Sequence, residues 1–486
     1  MTRRHSHLKT LFDFEMRGYQ RYITRKCHEI PFICVAVDMS LGKTAAVLTF
    51  LEQLWEDRDA KRVLVVAPKR VATDTWPDEI ARWRHLRHLE YSVICGTPAE
   101  RMKALRNKRA YIHIINKENL QWLYEVTNDG RDLDYDVLVI DEASMLKEGK
   151  KRTKRAGGGK GSRPLSRFGI LAKIRDKVER VIEMTGTPAP EGVHNMWGLM
   201  YILDRGERLG HNKTAFEMRW FDKGYMGWDM KPRPGAQEQI MERAKDLMIS
   251  LRAEDHIKLP PVVTTPDTDI WVTLPRDIMS EYRHFERELF TDRYDVEAAS
   301  NGVLVNKLLQ FANGSLYREN GKDIHVHDLK LDALQELVDD MNGHPLIVAY
   351  SFQFDARRIK ARFGKKCVLV EEAGRNLVKD WNTGKIKLLV THPASLSHGM
   401  NLQFGGFNAC WYGVCHSGEL YKQFNMRLPR PGQKAERVYI RHILARGTWD
   451  AKVLANQQRK DGVESAIRRA VRVTKEDIEM EMRRAA

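Results

Sequence analysis

Short apolar runs, each bounded by turn-forming or helix-capping residues, recur along the first part of the chain. They are FICVAV (32–37), VLVVAP (63–68), YIHIIN (111–116), VLVIDE (137–142) and VIEMTG (181–186). Both faces of these runs are apolar, whereas a half-exposed strand would alternate apolar and polar positions. The pattern therefore predicts buried parallel strands.

Helical patterns lie between these runs, for example over residues 44–55 and 75–83. Strands that alternate with helices are typical of a doubly wound α/β domain with a parallel sheet. We therefore expect a first α/β domain over residues 1–205.

A second series of apolar runs predicts a second α/β domain over residues 326–446. The runs are PLIVAYS (345–351), KCVLVEE (366–372), KLLVTHP (387–393), ACWYGV (409–414) and VYIRHIL (438–444). Between the two series, residues 206–325 differ in composition, with aromatic, Pro and Gly residues followed by charged helical segments. We expect a helical and irregular connecting region there, and a charged helical tail over residues 447–486.

Length and charge narrow the class of protein. A chain of 486 residues suggests about three structural units at roughly 150 residues each. Hydrophobic residues make up 42% and charged residues 30%, and the formal net charge is +16. So basic a chain favours a polyanionic partner, nucleic acid first and an anionic membrane second.

Several other classes are not expected. The six cysteines never form the C-x2-C pairs of a zinc site, and they are too sparse to cross-link a chain of this length. The basic N-terminus is not followed by the apolar stretch of a signal peptide. Apolar runs such as residues 31–37 are far shorter than the roughly 20 residues of a membrane span. We expect a cytoplasmic protein without membrane segments.

The strongest local motif is AVDMSLGKT (36–44), which follows a predicted strand and opens a predicted helix. That is the setting of a phosphate-binding loop. Gly42 would let the backbone approach the phosphates, the Lys43 ammonium would bridge the β- and γ-phosphates of ATP, and the Thr44 hydroxyl would bind Mg²⁺. The full Walker pattern has a further glycine where this chain has Val37.

A pair of carboxylates ends one predicted strand, in YDVLVIDEASMLK (135–147). Asp141 could hold Mg²⁺ beside the phosphate loop, and Glu142 could polarise the attacking water as a general base. The alternative is an acidic strand end that faces solvent. The phosphate loop upstream in the same predicted domain favours the catalytic interpretation.

Two further segments place polar groups where a nucleotide would need them. The strand before MTGTP brings the hydroxyls of Thr185 and Thr187 to the carboxyl end of the sheet, where open α/β sheets bind ligands. A capping turn is the alternative explanation for this segment.

The second such segment is QFNMRLPRPGQK (423–434), in the second predicted domain. We expect Arg427 on a helix that Pro429 terminates, with Arg430 just beyond it. Either guanidinium could stabilise charge on the γ-phosphate, as an arginine finger does. A solvated basic loop is the alternative.

Taken in order, these motifs resemble those of superfamily 2 helicases, and among them the Swi/Snf-type translocases, over about residues 11–450. The segments that carry the resemblance in the first domain are MRGYQ (16–20), DMSLGKT, VLVVAPKRVATDTWPDEIARW, VIDEAS and MTGTPAPEGVHNMWGLMYIL. In the second domain they are LIVAYSFQFD (346–355), SLSHGMNLQ (395–403) and QFNMRLPRPGQ (423–433). The compact chain and NKLLQFANGSLY (306–317) are similar to the small versions that tailed bacteriophages encode.

The resemblance implies a site and a mechanism. Gln20 would recognise the adenine base, and ATP would lie in a cleft between two RecA-like domains, with Mg²⁺ held by Thr44 and Asp141. The residues implied to bind ATP are Gln20, Ser40, Leu41, Gly42, Lys43, Thr44 and Gly399. Those implied to be catalytic are Lys43, Asp141, Glu142, Arg427 and Arg430.

The chain departs from the family pattern at three places. Ser40 stands where glycine is usual, and Ser144 replaces the histidine of a DEAH motif. Residues 149–164 look like an insertion; between Lys147 and Arg163 there are eight basic residues and one acidic residue among five glycines. Such a segment cannot bury a core and could be an arm that contacts phosphates.

We expect the polymer to be double-stranded DNA, because Swi/Snf-type motors track along duplexes and no strand-separating wedge is apparent. Three alternatives remain. The chain could be an RNA or single-strand helicase, a clamp that binds ATP without hydrolysing it, or a motor subunit recruited by a nuclease or replication protein through the 447–486 tail. Glu142, Arg427 and Arg430 are all present, which argues against the clamp.

Overall fold

We analysed a computed structural model of the chain. It describes residues 15–39, 41–146, 165–189, 192–223, 230–374, 376–396, 400–470 and 472–485. Ser40, Gly399 and the basic insertion at residues 149–164 therefore lie outside the described residues. The chain divides into two compact units, a first unit of residues 1–257 with 462–486 and a second unit of residues 258–461.

The first unit is built on one seven-stranded sheet with the order β3-β4-β2-β5-β6-β1-β9, and every neighbouring pair is parallel. Its strands are β1 (Phe32–Val37), β2 (Val63–Ala67), β3 (Tyr91–Ile94), β4 (Ile112–Asn116), β5 (Val137–Asp141), β6 (Arg180–Thr185) and β9 (Met248–Leu251), with β7 (Phe221–Lys223) and β8 (Met230–Pro232) forming a separate hairpin. The five predicted strands of this domain are all present.

Helices separate the strands of the first unit, as the alternating pattern predicted. They are α1 (Gly18–Glu29), α2 (Lys43–Glu56), α3 (Trp76–Arg82), α4 (Pro98–Leu105), α5 (Leu120–Val126), α6 (Arg167–Arg175), α7 (Met196–Asp204), α8 (Lys213–Trp220), α9 (Ala236–Ala244) and α10 (Ala253–His256). The inner strands are buried along their whole length, because helices cover both faces. Parallel sheets need that cover.

The second unit has a second parallel sheet, with the order β10-β20-β19-β16-β18-β17 and β11 also pairing with β20. Its strands are β10 (Val262–Val263), β11 (Ile270–Val272), β16 (Leu346–Ala349), β17 (Cys367–Leu369), β18 (Leu388–Thr391), β19 (Asn408–Trp411) and β20 (Val438–Ala445). Two small hairpins join β12 (Phe290–Thr291) to β13 (Val296–Glu297) and β14 (Ser315–Tyr317) to β15 (Asp323–His325). The chain is therefore an α/β protein with two parallel-sheet domains.

The helices of the second unit and the tail complete the fold. They are α11 (Arg276–Glu288), α12 (Asn301–Asn313), α13 (Leu329–Asp340), α14 (Gln353–Phe363), α15 (Leu377–Asn382), α16 (Gly418–Asn425), α17 (Trp449–Ala470) and α18 (Lys475–Ala485). The tail is helical, as predicted. Among the described residues, no helix is both long enough and apolar enough to span a bilayer.

The unit boundary differs from the boundaries expected at residues 205 and 325. The expected connecting region is divided between the two units. Within it, β9 pairs with β1 in the first sheet, and β10 and β11 pair with β20 in the second. These strands are short, and their partners lie far away along the chain. Pairing of that kind leaves little local pattern from which it could be predicted.

Candidate active site

The phosphate loop runs from the end of β1 to the start of α2, with Gly42 as the residue before the helix. Gly42 has a φ of +69°, in the left-handed region that glycine enters without strain. A β-carbon at this position would lie 2.7 Å from Nε2 of Gln20. The left-handed backbone therefore favours glycine at this point of the motif, and a side chain here would also displace the Gln20 amide.

Gln20 fastens α1 to this loop. Its Nε2 donates to the carbonyl oxygen of Leu41 at 3.3 Å, and its Oε1 accepts from the backbone N–H of Arg17 at 3.0 Å. One turn further along α1, the Thr24 hydroxyl donates to the carbonyl oxygen of Ala46 at 3.1 Å. The side chain expected to recognise a base is thus buried against the backbone of the loop expected to bind phosphates.

Asp141 and Glu142 form the acidic pair at the end of β5, and both are buried. Nε1 of Trp76 donates to Oδ2 of Asp141 at 2.9 Å. Glu142 has a φ of +61°, which is uncommon for a residue with a side chain and costs of order 1–3 kcal/mol. Such strain is concentrated at functional sites.

The segment after β6 lies beside the phosphate loop. A β-carbon on Gly186 would be 3.9 Å from Nζ of Lys43 and 3.5 Å from Cγ of Met39. The Thr185 hydroxyl oxygen accepts from the backbone N–H of Thr187 at 3.0 Å. Oγ1 of Thr187 is buried and, within the described part of the chain, has no hydrogen-bond partner.

The sheet order explains why these segments meet. Strands β5, β6 and β1 are consecutive neighbours and all run parallel, with Asp141 opposite Met184 and Thr185 opposite Ala36. Because neighbouring strands lie about 4.8 Å apart, their carboxyl ends share an edge of about 10 Å. The structure therefore brings the phosphate loop, the acidic pair and the two threonines to one edge of the first sheet.

The groups at this edge fit a magnesium nucleotide. A helix N-terminus with a positive-φ glycine and a lysine suits phosphates, and a hydroxyl beside a carboxylate supplies the oxygen ligands that Mg²⁺ prefers. Thr44 and Lys43 are half-buried at the start of α2. The unpartnered Thr187 hydroxyl adds a polar group that a phosphate oxygen or a water would satisfy.

In the second unit, α16 ends at Asn425, so Arg427 lies in the turn after the helix and the expectation that it is helical is wrong. The physical reason is Pro429, which has no N–H to donate to the Asn425 carbonyl and disfavours helical backbone at Leu428. Arg427 is buried, with 2% of its surface exposed. The sequence analysis identified Pro429 as the helix terminator, but it expected the helix to continue as far as Arg427, two residues beyond its actual end.

Arg430 is tied to two backbone carbonyl oxygens. Its Nε donates to Met426 at 3.1 Å and its Nη1 to Met400 at 3.4 Å. Burial lowers the pKa of Arg430 to about 10, so the guanidinium is still charged at neutral pH. The nearby side chain of Gln433 donates to the Gly406 carbonyl oxygen at 2.9 Å, which helps to hold this turn.

Trp76 is a residue of the site that the sequence analysis did not single out. It is fully buried at the start of α3 and bonds the carboxylate expected to hold Mg²⁺. The available signal was the tryptophan within VLVVAPKRVATDTWPDEIARW, a segment that carries the family resemblance, since a buried indole N–H needs an acceptor. Nothing in the sequence indicates which acceptor it finds.

Comparison with known proteins identifies the family. The sequence model described as the SNF2-related domain matches residues 23–253. A protein of Acyrthosiphon pisum secondary endosymbiont phage 1, "Putative protein p41", is 34% identical over 473 residues, covering 94% of this chain and 99% of that protein. The chain belongs to the SNF2-related family.

Membership of the SNF2-related family makes the chain an ATP-hydrolysing enzyme of superfamily 2, as the motifs implied. Longer SNF2-related relatives match over part of the chain. The "DNA excision repair protein ERCC-6-like" of Danio rerio is 27% identical over 227 residues, which are 46% of this chain and 14% of that protein. Among solved structures, the "Sulfolobus solfataricus SWI2/SNF2 ATPase core in complex with dsDNA" aligns over 94% of both chains with 16% identity and a TM-score of 0.43.

Proposed function

We propose that this SNF2-related ATPase is a DNA-stimulated motor that moves along double-stranded DNA and acts in the DNA metabolism of a bacteriophage. The observation that carries the proposal is the shared edge of β5, β6 and β1, where the phosphate loop meets the acidic pair. The family membership supports the reaction type. The formal net charge of +16 and the phage relative support the polymer and the setting.

Each residue at the edge has a role in this proposal. Lys43 binds the β- and γ-phosphates, while the Thr44 hydroxyl and the Asp141 carboxylate hold Mg²⁺. At these two ligands, Mg²⁺ would supply positive charge next to the phosphates. The buried carboxylate of Glu142 takes a proton from the attacking water, and its strained backbone fixes the direction of that carboxylate.

The remaining groups orient the nucleotide or stabilise charge. Gln20 holds the loop backbone at Leu41 and recognises the base. For Arg427 and Arg430 we keep the role expected from the sequence, which is to stabilise charge on the γ-phosphate. Backbone phosphates are the contacts that a motor needs at every step, so we expect weak sequence preference.

The test is steady-state ATP hydrolysis by the purified chain, alone and with duplex DNA, single-stranded DNA or RNA. We expect duplex DNA to stimulate most strongly and Glu142→Gln to abolish hydrolysis while the protein keeps its thermal stability. An exposed glutamate on α5, Glu125, gives the matched control Glu125→Gln, which should hydrolyse ATP like the wild type.

The second step distinguishes movement from mere stimulation. A protein that moves along a duplex displaces a triplex-forming strand in its path, and ATP must be hydrolysed for this to occur. We expect displacement by the wild type and none by Glu142→Gln. Stimulation by RNA or single strands alone would contradict the proposal and indicate a helicase with a different substrate. ATP binding without hydrolysis would indicate a clamp.

A further inference from the structure

Helix α11 of the second unit has two opposite faces of different chemistry. Tyr282 and Phe285 are fully buried, and Ile278 and Leu289 pack against the same apolar cluster. These four residues share one side of the helix, at spacings of four, three and four residues. The inner face therefore holds α11 firmly on the body of the second unit.

The outer face carries a row of arginines. Arg276, Ser280, Arg283 and Arg287 follow one another at spacings of four, three and four residues, so they lie within an arc of about 60° on one side of the helix. All four are exposed. Along the helix axis the row extends for roughly 16 Å. We call Arg276, Arg283 and Arg287 the arginine row.

The row lines an open groove of about 720 Å³, together with Thr273 and Ser280. Hydroxyl groups between guanidinium groups are additional donors to an anion. The groove is wide and shallow compared with a small-molecule pocket, and it suits a ligand that lies along α11. The donors and the shape together favour an extended polyanion.

Two charged side chains of the groove, Arg283 and Glu286, are held in place by hydrogen bonds. Arg283 donates through Nη2 to the Gly447 carbonyl oxygen at 2.8 Å and through Nη1 to Glu286 at 2.9 Å. Glu286, the acid of this groove, also accepts from Nε1 of Trp449 at 2.8 Å and lies 3.5 Å from Nζ of Lys452. Two cations, Arg283 and Lys452, therefore offset its single negative charge, and the neutral indole N–H adds a hydrogen bond.

Arg276 and Arg287 stand differently. Within the part of the chain that the structure describes, the guanidinium group of neither residue has a hydrogen bond or an ion pair. Their guanidinium groups keep their full capacity for anions, and they flank the fixed Arg283 on both sides. Arginine binds phosphate through two parallel N–H groups, which gives direction as well as charge.

We propose that the arginine row binds the phosphate backbone of duplex DNA, and this assignment rests on the function proposed above. Each strand of a duplex carries one negative charge per about 3.4 Å of the axis, so roughly five phosphates of one strand lie along a row of this length. The three guanidinium groups thus meet phosphates in any register. A contact of that kind serves a motor that must hold DNA of any sequence.

The experiment measures duplex affinity of the full chain by fluorescence anisotropy over a range of salt concentrations. The variant is Arg276→Gln with Arg287→Gln, which removes two charges without touching a bonded group. Since each phosphate contact contributes about 0.9 to the slope of log K against log salt, we expect the slope to become shallower by about 1.8. ATP hydrolysis in the absence of DNA should not change.

The matched control is Lys365→Gln with Lys366→Gln, which removes the same charge from another exposed site of the second unit. We expect its salt slope to equal that of the wild type. An unchanged slope in the arginine variant, or an equal change in the control, would overturn the arginine row while leaving the motor intact. Absence of duplex binding by the wild type would instead remove the proposed function and, with it, this assignment.

Discussion

Trp76 is a core residue of the first unit that is hydrogen-bonded to Asp141 of the candidate metal site. Its indole N–H donates to Oδ2 of Asp141 at 2.9 Å, and both side chains are buried. A bond to a metal-binding carboxylate fixes the direction in which the remaining oxygen points, and loss of such a bond typically weakens metal affinity about tenfold or more. Trp76 is thus a positioning residue for Mg²⁺ in the proposed reaction.

We therefore expect Trp76→Phe to raise the Mg²⁺ concentration at half-maximal ATP hydrolysis by about tenfold. The rate at saturating Mg²⁺ should fall much less, because Phe keeps most of the apolar volume. The measurement is a Mg²⁺ titration of ATP hydrolysis at fixed ATP. Trp55→Phe on α2, where the indole is 44% exposed, serves as the control, and an equal effect of both variants would contradict the positioning role.

Glu183 is a second buried carboxyl of the first sheet, and it makes the stability of the protein depend on pH. It is fully buried on β6, and burial, with a contribution from Asp204, raises its pKa well above the usual range. In the unfolded chain a glutamate ionises near pH 4.3. The folded chain therefore binds a proton that the unfolded chain has released, and stability falls as the pH rises above that value.

The slope from one such group is at most about 1.4 kcal/mol per pH unit, and it ends at the folded pKa. Glu183→Gln cannot ionise, so we expect this variant to lose the slope and to be more stable than the wild type at pH 7. Thermal unfolding between pH 5 and pH 8 measures both effects. The exposed Glu90 offers the control Glu90→Gln; the idea fails if Glu183→Gln and wild type keep parallel curves.

At the scale of elements, the long apolar strands were predictable and the short ones were not. β1, β5 and β6 are mostly apolar runs, so the sequence predicts that they are buried strands. β9 has four residues in a charged region, and it is a strand because it pairs with β1, which lies far away along the chain. Pairing of this kind is decided by tertiary contacts, which a local pattern does not contain.

The candidate site divides in the same way. The phosphate loop and the acidic pair each follow a predictable strand, so the sequence indicates that their residues meet at one edge. The bond from Trp76 to Asp141 and the positive φ of Glu142 depend on packing around the strand end. The end of α16 before Arg427 depends on a proline whose influence reaches back several residues.

The end of the tail, residues 472–485, packs on the first unit, although the charge of the tail had suggested a surface for a protein partner. Arg472 forms a single bridge with Ser250 of β9 and bonds Asp255. On α18, Ile478 is buried, and Glu481 lies 2.6 Å from Nζ of Lys26 and also contacts Arg25. The described contacts of α18 thus go to α1, the helix that carries Gln20.

We expect Glu481→Gln to destabilise the chain by about 0.5–1 kcal/mol, or roughly 1–4 °C in Tm, because these ion pairs are only partly exposed. Thermal unfolding of the full chain measures this change. Glu479→Gln is the control, since Glu479 is more exposed and its nearest basic partner is Lys475 at 3.8 Å on the same helix. Equal melting temperatures for Glu481→Gln and wild type would show that α18 is held by apolar contacts alone.

At the scale of the whole molecule, the basic residues and the candidate site for ATP are distributed differently. The excess of basic residues, 81 Lys and Arg against 65 Asp and Glu, is spread along the chain, whereas the phosphate loop and the acidic pair lie at one edge of the first sheet. Binding of a polyanion should therefore depend on salt but not on Glu142. Hydrolysis should depend on Glu142 at every salt concentration.

If the chain meets six or more phosphates of a duplex, raising salt from about 50 to 200 mM should weaken binding by roughly 10³-fold or more. Glu142→Gln should show the same salt slope as the wild type, because the carboxylate it loses is buried and its proposed role is in the chemical step. Anisotropy titrations of both proteins on one labelled duplex test this. A shallow slope would mean that the basic residues are not the binding surface, whereas a slope that changes in Glu142→Gln would mean that DNA binding and the catalytic edge are coupled even without hydrolysis.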